Sequence, residues 1–131
     1  MPSAIQKRSY GSVTVYSIHK EQIWQELERF VHRLSERPEV LAVILFGSLA
    51  EGRLGVGSDV DLLVILSQSD RPFLERLPLY APERFPVDVD VFPYTLEEIR
   101  RGQPLAGQAL AQGRVLWCRP DFDRRLMAHS E

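Results

Sequence analysis

The stretch Leu41–Leu66, LAVILFGSLAEGRLGVGSDVDLLVIL, decides the fold. An apolar run ends at Gly47 and Ser48, and ten intervening residues then lead to Asp59 and Asp61, which open a second apolar run. Aspartate is disfavoured in strands, and a buried carboxylate needs a partner or a metal ion. Two aspartates at alternate positions before an apolar strand therefore indicate a functional site.

The length of 131 residues predicts a single domain spanning 1–131, with about 1–12 and 121–131 as flexible tails. Sixteen Lys and Arg against eighteen Asp and Glu give a net charge of −2. This balance argues against direct nucleic-acid binding through a broad basic surface. It leaves open a nucleotide bound through metal ions.

The single cysteine, Cys118, excludes an internal disulfide and fits a reducing compartment. Because it ends an apolar run, we interpret it as a packing residue. The sequence contains no apolar stretch of about 20 residues, the length needed to span a membrane. The N-terminus lacks the apolar core of a signal peptide. We therefore expect a cytoplasmic protein with no membrane association.

Hydrophobic periodicity predicts an α/β (α+β) chain of alternating helices and strands. Helices are expected at Glu21–Glu36, Pro72–Leu77 (packed through Phe73, Leu74 and Leu77), from Thr95 onward, and at Leu105–Gln112. Strands are expected at Val13–Ile18, Val40–Phe46, Val60–Leu66, Val87–Phe92 and Val115–Trp117. Residues 48–53 are expected to form one or two helical turns, followed by a glycine-rich loop. Thr95 and Glu98 have the spacing of a capping box, which marks the start of a helix.

The strand VDVDVF alternates strictly, so Asp88, Asp90 and Phe92 share one face. Pro93 is expected to end this strand or to force it to the edge of a sheet. If the strand lies beside the one that follows Asp61, three or four carboxylates meet in one patch. Such a patch repels itself unless a cation occupies it or the pKa values rise.

Oxygen-only ligands favour a hard cation, Mg²⁺ or Mn²⁺, over zinc. Magnesium usually completes its octahedron with substrate phosphates and water. Gly47 and Ser48 follow a strand and precede the predicted helical turns, so backbone N–H groups there could bind an anion. Arg53 and Ser58, in the same loop, are further candidates for phosphate contacts. Two metal ions about 4 Å apart would clamp the attacking and leaving oxygens of an in-line displacement.

Simpler interpretations compete with each of these assignments. Gly47 and Ser48 alone form a common turn, and Asp59 alone could cap a strand entrance. Asp88 and Asp90 could be the solvated face of an edge strand, and Arg53 an ordinary loop cation. A Walker loop is excluded because the required Gly-Lys-Ser/Thr is missing. The combination of these features is much less expected by chance than any one of them.

Phe46-Gly47-Ser48, ten intervening residues and then Asp59-Val60-Asp61-Leu62 resemble the signature of the DNA-polymerase-β-like nucleotidyltransferase superfamily. More closely, the chain is similar to the minimal nucleotidyltransferase (MNT) proteins, which are short single domains. The later stretches VDVDVFPYTLEEI and ALAQGRVLWC also follow the usual course of that family.

This resemblance implies a nucleotidyltransferase fold, a mixed β-sheet flanked by helices, with two Mg²⁺ ions and ATP as the nucleoside triphosphate. Asp59 and Asp61 would be catalytic metal ligands. The third catalytic carboxylate and metal ligand would be Asp90, which also helps to activate the attacking hydroxyl, with Asp88 as the alternative. The nucleotide would contact four residues in the loop between the strands: Gly47, Ser48, Arg53 and Ser58.

Many MNT proteins are antitoxins paired with a HEPN-domain ribonuclease toxin, and some transfer AMP from ATP to a tyrosine of that toxin. The resemblance therefore implies AMP transfer to a hydroxyl of a HEPN-domain partner protein. Two alternatives stay open: a nucleotide-binding antitoxin that acts by occlusion, and a small-molecule nucleotidyltransferase of the aminoglycoside type. The latter would need an acceptor pocket supplied by a second chain, and thus a homo-oligomer.

Overall fold

The computed structural model of the chain describes residues 12–47 and 60–122. The described helices and strands follow one another along the chain as α1 Ser12–Ser35, β1 Val40–Phe46, β2 Val60–Leu66, α2 Phe73–Tyr80, β3 Val89–Thr95, α3 Leu96–Arg100, α4 Pro104–Gln112 and β4 Arg114–Cys118. None of the helices in these ranges is long and apolar enough to cross a membrane.

The four described strands form one mixed sheet in the order β3-β2-β1-β4. β1 pairs antiparallel with both β2 and β4, whereas β2 and β3 are parallel. Helices cover both faces, so β1 and β2 are apolar along nearly their whole length. This confirms the predicted mixed sheet flanked by helices.

Two hydrophobic cores fill the space between the sheet and its helices. On one face, the apolar stripe of α1, which includes Ile23, Leu27 and Phe30, packs against alternate residues of β1 and β2, among them Leu45, Leu62 and Val64. On the other face, α3 and α4 contribute Ile99 and Ala106 and cover the intervening strand residues, among them Ala42, Ile44, Leu63 and Ile65. Strand residues two apart lie on the same face, so each strand contributes to both cores.

The sequence-based boundaries hold at β1 and β2, and the capping box of Thr95 and Glu98 is present at the start of α3. The predicted strand Val13–Ile18 is wrong, because α1 already begins at Ser12. Extending an existing helix costs far less than nucleating one, so the helix that starts in the strongly periodic segment continues through Val13–Ile18, although five of these six residues are β-branched or aromatic. The predicted turns within 48–53, and the segments 1–11 and 123–131, lie outside the described residues.

Two further details concern the end of β3 and the packing of α2. β3 runs from Val89 to Thr95, so it passes through Pro93 instead of ending before it. β3 is an edge strand, and an edge position was the second of the two outcomes predicted for Pro93. The missing N–H of Pro93 therefore interrupts no pairing within the sheet. In α2, Leu74 is 74% exposed, and the buried residues of that helix are Arg76 and Tyr80.

Candidate active site

The parallel pairing of β2 and β3 places Asp61 directly opposite Asp90. Neighbouring strands lie about 4.8 Å apart, and residues at the same register share a face. Asp61 is half-buried and Asp90 is exposed. The structure thus joins one aspartate from each of the two aspartate-bearing segments into a carboxylate pair.

This carboxylate pair lies at one end of the sheet. Asp61 and Asp90 are each the second residue of their strand, and Phe46, the last residue of β1, pairs with Asp61. Along this face, burial decreases toward the same end: Ile65 and Leu63 are fully buried, whereas Asp61 is half-buried. The carboxylates therefore stand where the hydrophobic core opens to the surface.

Gly47 follows Phe46 at this open end and has a φ of 82°, in the left-handed region that favours glycine. A Cβ atom added to it would lie 2.2 Å from Oδ2 of Asp61. No other residue can therefore occupy this position without moving the Asp61 carboxylate. The glycine allows the end of β1 to approach that carboxylate closely.

Asp88 takes a different position from Asp90. It is exposed and precedes the first residue of β3, and its carbonyl accepts a hydrogen bond of 3.1 Å from the Val60 N–H. The predicted strand Val87–Phe92 thus begins two residues later than expected, and Asp88 is not part of the paired ladder. Asp90, and not Asp88, is the register partner of Asp61.

Four predicted site residues lie outside the described part of the chain: Ser48, Arg53, Ser58 and Asp59. Among residues 12–47 and 60–122, no group of three or more His, Cys, Asp or Glu side chains could hold a metal ion. The described portion of the predicted metal site is therefore the pair formed by Asp61 and Asp90.

The chemistry of this pair fits a magnesium ion. Two carboxylates on neighbouring strands offer hard oxygen ligands, and Mg²⁺ in proteins is commonly held by one or two carboxylates together with phosphates and water. The absent Cβ of Gly47 lets the backbone at the end of β1 lie close to Oδ2 of Asp61. Asp61 and Asp90 are the described residues that would hold such an ion.

A buried ion pair supports the strand that carries Asp90. Arg76 of α2 is 4% exposed and donates two hydrogen bonds to the Glu98 carboxylate, of 2.8 and 2.9 Å. It also donates to the carbonyl of Pro93 in β3, at 2.9 Å. Glu98 in turn accepts from the backbone N–H of Thr95 as part of the capping box. Arg76 therefore ties α2 and α3 to the edge strand.

The hydrogen bonds from Arg76 are the largest cause of the low pKa of Glu98, which falls from 4.5 to about 2 against the opposing effect of burial. The Glu98 hydrogen bonds likewise raise the pKa of Arg76. The capping box made Glu98 recognisable in the sequence. Nothing in the sequence singles out Arg76, which stands among charged residues in a short amphipathic segment.

Two grooves of about 640 Å³ each lie at the other end of β1, near Glu39 and Tyr80. The Tyr80 hydroxyl donates a 2.6 Å hydrogen bond to Glu39. Burial, followed by this hydrogen bond, raises the pKa of Tyr80 to about 12. These grooves do not include Asp61 or Asp90, so they are separate from the candidate site.

A family model described as "Polymerase beta, Nucleotidyltransferase" matches residues 28–122. The chain belongs to this nucleotidyltransferase family. The match extends from the middle of α1 to the residues after β4, and so includes both aspartate-bearing segments. The chain is therefore a polymerase-β-like nucleotidyltransferase domain, and nucleotidyl transfer is the general activity that its family supports.

The fold is also similar to a crystal structure of a "putative nucleotidyltransferase" from Sulfolobus solfataricus, with a TM-score of 0.57 and 18% sequence identity. The alignment covers 87% of this chain and 95% of the other. At this identity the similarity concerns the fold alone. No curated protein sequence matches the chain.

Proposed function

We propose that this nucleotidyltransferase domain uses Mg²⁺ to transfer AMP from ATP to a hydroxyl of a partner protein, as the antitoxin of a HEPN/MNT pair. The observation that carries the proposal is the alignment of Asp61 with Asp90 on neighbouring strands at the open end of the sheet. Membership of the polymerase-β-like family supports the transfer itself. The AMP donor and the HEPN-domain partner come from the resemblance to MNT proteins.

In this proposal, Asp59, Asp61 and Asp90 would hold the metal ions, and Asp90 is the third carboxylate. Bound Mg²⁺ would neutralise charge on the triphosphate and on the departing pyrophosphate. The acceptor oxygen forms a bond to the α-phosphorus while the bond from that phosphorus to the β-phosphate oxygen breaks. Asp90 orients the acceptor hydroxyl, whose proton passes to this carboxylate or to water. Asp88 is the alternative, although it lies before the paired ladder.

The phosphate contacts would come from the segment that follows β1. Gly47 brings the backbone close to Asp61, and Ser48, Arg53 and Ser58 are the proposed donors to the triphosphate. A carboxylate pair and a set of N–H, hydroxyl and guanidinium donors are complementary to a metal–triphosphate complex.

A protein acceptor fits the position of Asp90. This residue is exposed and lies on β3, an edge strand of the described sheet. A bulky acceptor can approach an exposed carboxylate at a sheet edge more easily than it can approach a carboxylate enclosed in a cavity. The proposed acceptor is therefore a hydroxyl presented on the surface of the toxin.

The test incubates the protein with ATP labelled at the α-phosphate, Mg²⁺ and a purified HEPN-domain toxin as the candidate partner. We expect label on the partner with the wild type and with Asp88→Asn, but about a hundredfold less with Asp61→Asn or Asp90→Asn, because each removes a group acting at the transition state. Label that is unaffected by Asp61→Asn contradicts the proposal.

The same assay separates the two alternatives. If the Asp61→Asn variant transfers no label yet still neutralises the toxin, inhibition occurs by occlusion. If label appears on an added aminoglycoside and not on the partner protein, the acceptor is a small molecule.

A further inference from the structure

Two phenylalanines cross β2 beside Asp61. The ring centroids of Phe46 and Phe92 are 5.8 Å apart, with 46° between the ring planes. Phe46 belongs to β1 and Phe92 to β3, which lie on opposite sides of β2. Strands separated by one strand are about 10 Å apart. The two rings therefore lean toward each other over the central strand.

The register fixes where this ring pair lies relative to the carboxylate. Phe46 is paired with Asp61, whereas Phe92 is paired with Leu63, the next residue of β2 on that face. One ring therefore starts at the level of Asp61, and the other starts one same-face step closer to the hydrophobic core. Phe92 follows Asp90 by two residues, so it shares the face of the carboxylate pair.

Three described features surround the Asp61 carboxylate. The phenyl rings lie on its core side, Asp90 lies on the neighbouring strand, and Oδ2 is directed toward the backbone at Gly47. An apolar boundary on the core side disfavours a carboxylate turned toward it, because the charge would lose solvation there. The ring pair thus favours the orientation that faces the open end of the sheet.

We propose that Phe92 is a positioning residue, which with Phe46 holds the Asp61 carboxylate in the orientation that binds the catalytic metal ion. The inference rests on the proposed metal site and extends it to a residue that is not among the proposed metal or nucleotide ligands. Groups that orient a metal ligand typically affect metal affinity 10- to 100-fold. Because the rings act only by packing, we expect the lower end of that range.

The structure offers a matched control in a second ring pair. Phe73 of α2 stacks on Tyr94, with centroids 4.7 Å apart. Tyr94 is paired with Ile65, two same-face steps from Asp61 along the strand. Phe92 and Phe73 are both half-buried. Replacing Phe73 therefore removes a comparable ring without changing the surroundings of the carboxylate.

The experiment measures Mn²⁺ affinity by electron paramagnetic resonance for the full chain, with Asp61→Asn as reference and thermal unfolding recorded in parallel. We expect Phe92→Ala to weaken Mn²⁺ binding about tenfold. Phe92→Leu, which keeps an apolar side chain, should restore most of the affinity, and Phe73→Ala should bind like the wild type.

The outcomes distinguish the two proposals. Unchanged Mn²⁺ affinity in folded Phe92→Ala, with normal loss of binding in Asp61→Asn, overturns the positioning role and leaves the metal site intact. Equal loss of affinity in Phe92→Ala and Phe73→Ala also overturns it, because the effect would then follow from general packing. A wild type that binds no Mn²⁺, with or without nucleotide, overturns both proposals.

Discussion

Gly47 is the residue at which the backbone and the carboxylate chemistry meet. Its φ of 82° alone disfavours other residues, and a Cβ added there would also clash with Oδ2 of Asp61, at 2.2 Å. Gly102 has a φ of 100°, but a Cβ added to it would meet no atom within 4 Å. The two glycines therefore differ in surroundings while sharing a conformation that strains other residues.

Replacing Gly47 should impair the site more than the fold. Backbone strain costs about 1–2 kcal/mol in either Gly47→Ala or Gly102→Ala. In Gly47→Ala the Asp61 carboxylate must also move, so we expect nucleotidyl transfer to fall by about a hundredfold, since an ångström of displacement is enough for such a loss. Chemical unfolding and transfer kinetics of both variants check this. Equal rates of nucleotidyl transfer in Gly47→Ala and Gly102→Ala would show that the clash with the Asp61 carboxylate does not affect activity.

The aspartates of the candidate site could be interpreted only in part from the sequence. The spacing of Asp59 and Asp61 after Gly47 indicated the family, and the family model confirms it. The choice between Asp88 and Asp90 could not be made from alternation, because both occupy the same face of one predicted strand. The register, which is set by pairing with β2 across the sheet, places Asp90 and not Asp88 opposite Asp61 and so supports Asp90 as the proposed third carboxylate.

At the scale of elements, the edge strand β3 needs support from outside the sheet. Arg76 supplies it by bonding to the Pro93 carbonyl and to Glu98 of the adjoining helix. Its side chain is 5% exposed, whereas that of Glu98 is 33% exposed. Removing the carboxylate would leave a buried guanidinium without its anionic partner.

We expect Glu98→Gln to destabilise the protein by about 3 kcal/mol, the lower end of the range for breaking a buried ion pair, since Glu98 is partly solvated. Glu97→Gln is the matched control. Its partner is Arg101, and their side chains are 73% and 71% exposed, so its loss should cost under about 1 kcal/mol. Urea unfolding measures both. Comparable losses of stability in Glu98→Gln and Glu97→Gln would contradict the claim that burial makes the Arg76–Glu98 pair more stabilising than the Arg101–Glu97 pair.

The same ion pair predicts a pH dependence. The pKa of Glu98 is about 2 in the folded protein against 4.5 ordinarily, chiefly because of the hydrogen bonds from Arg76. A lowered folded-state pKa contributes stability above the unfolded pKa, and this contribution is lost as pH falls toward the folded pKa. The difference in unfolding free energy between wild type and Glu98→Gln should therefore be constant from pH 7 to about 5 and shrink between pH 4.5 and 2. A difference that stays constant down to about pH 3 would be inconsistent with this pair.

Elements with a strong local signal were predictable. The apolar runs of β1 and β2 and the capping box of α3 each follow from short-range rules. The helical conformation of Val13–Ile18 was not predictable from its own residues. A six-residue alternating pattern does not stop a helix that propagates from the neighbouring segment. Arg76 was not predictable either, since its partners are Pro93 and Glu98, 17 and 22 residues away.

At the scale of the whole molecule, the sheet order β3-β2-β1-β4 is what assembles the site. β2 lies between the strand that ends just before Gly47 and the strand that carries Asp90. The parallel pairing of β2 with β3 starts both strands at the same end, so their second residues coincide. With the opposite strand direction, the two aspartates would lie at different ends of the sheet.

The most direct measurement is the number of Mn²⁺ ions bound per chain in the presence of a non-hydrolysable ATP analogue, determined for the wild type, Asp61→Asn, Asp90→Asn and Asp88→Asn. We expect about two ions for the wild type and for Asp88→Asn. Asp61→Asn and Asp90→Asn should bind fewer ions, or bind them at least about tenfold more weakly. Binding that is unchanged in both of these variants would contradict a metal site built on the Asp61–Asp90 pair.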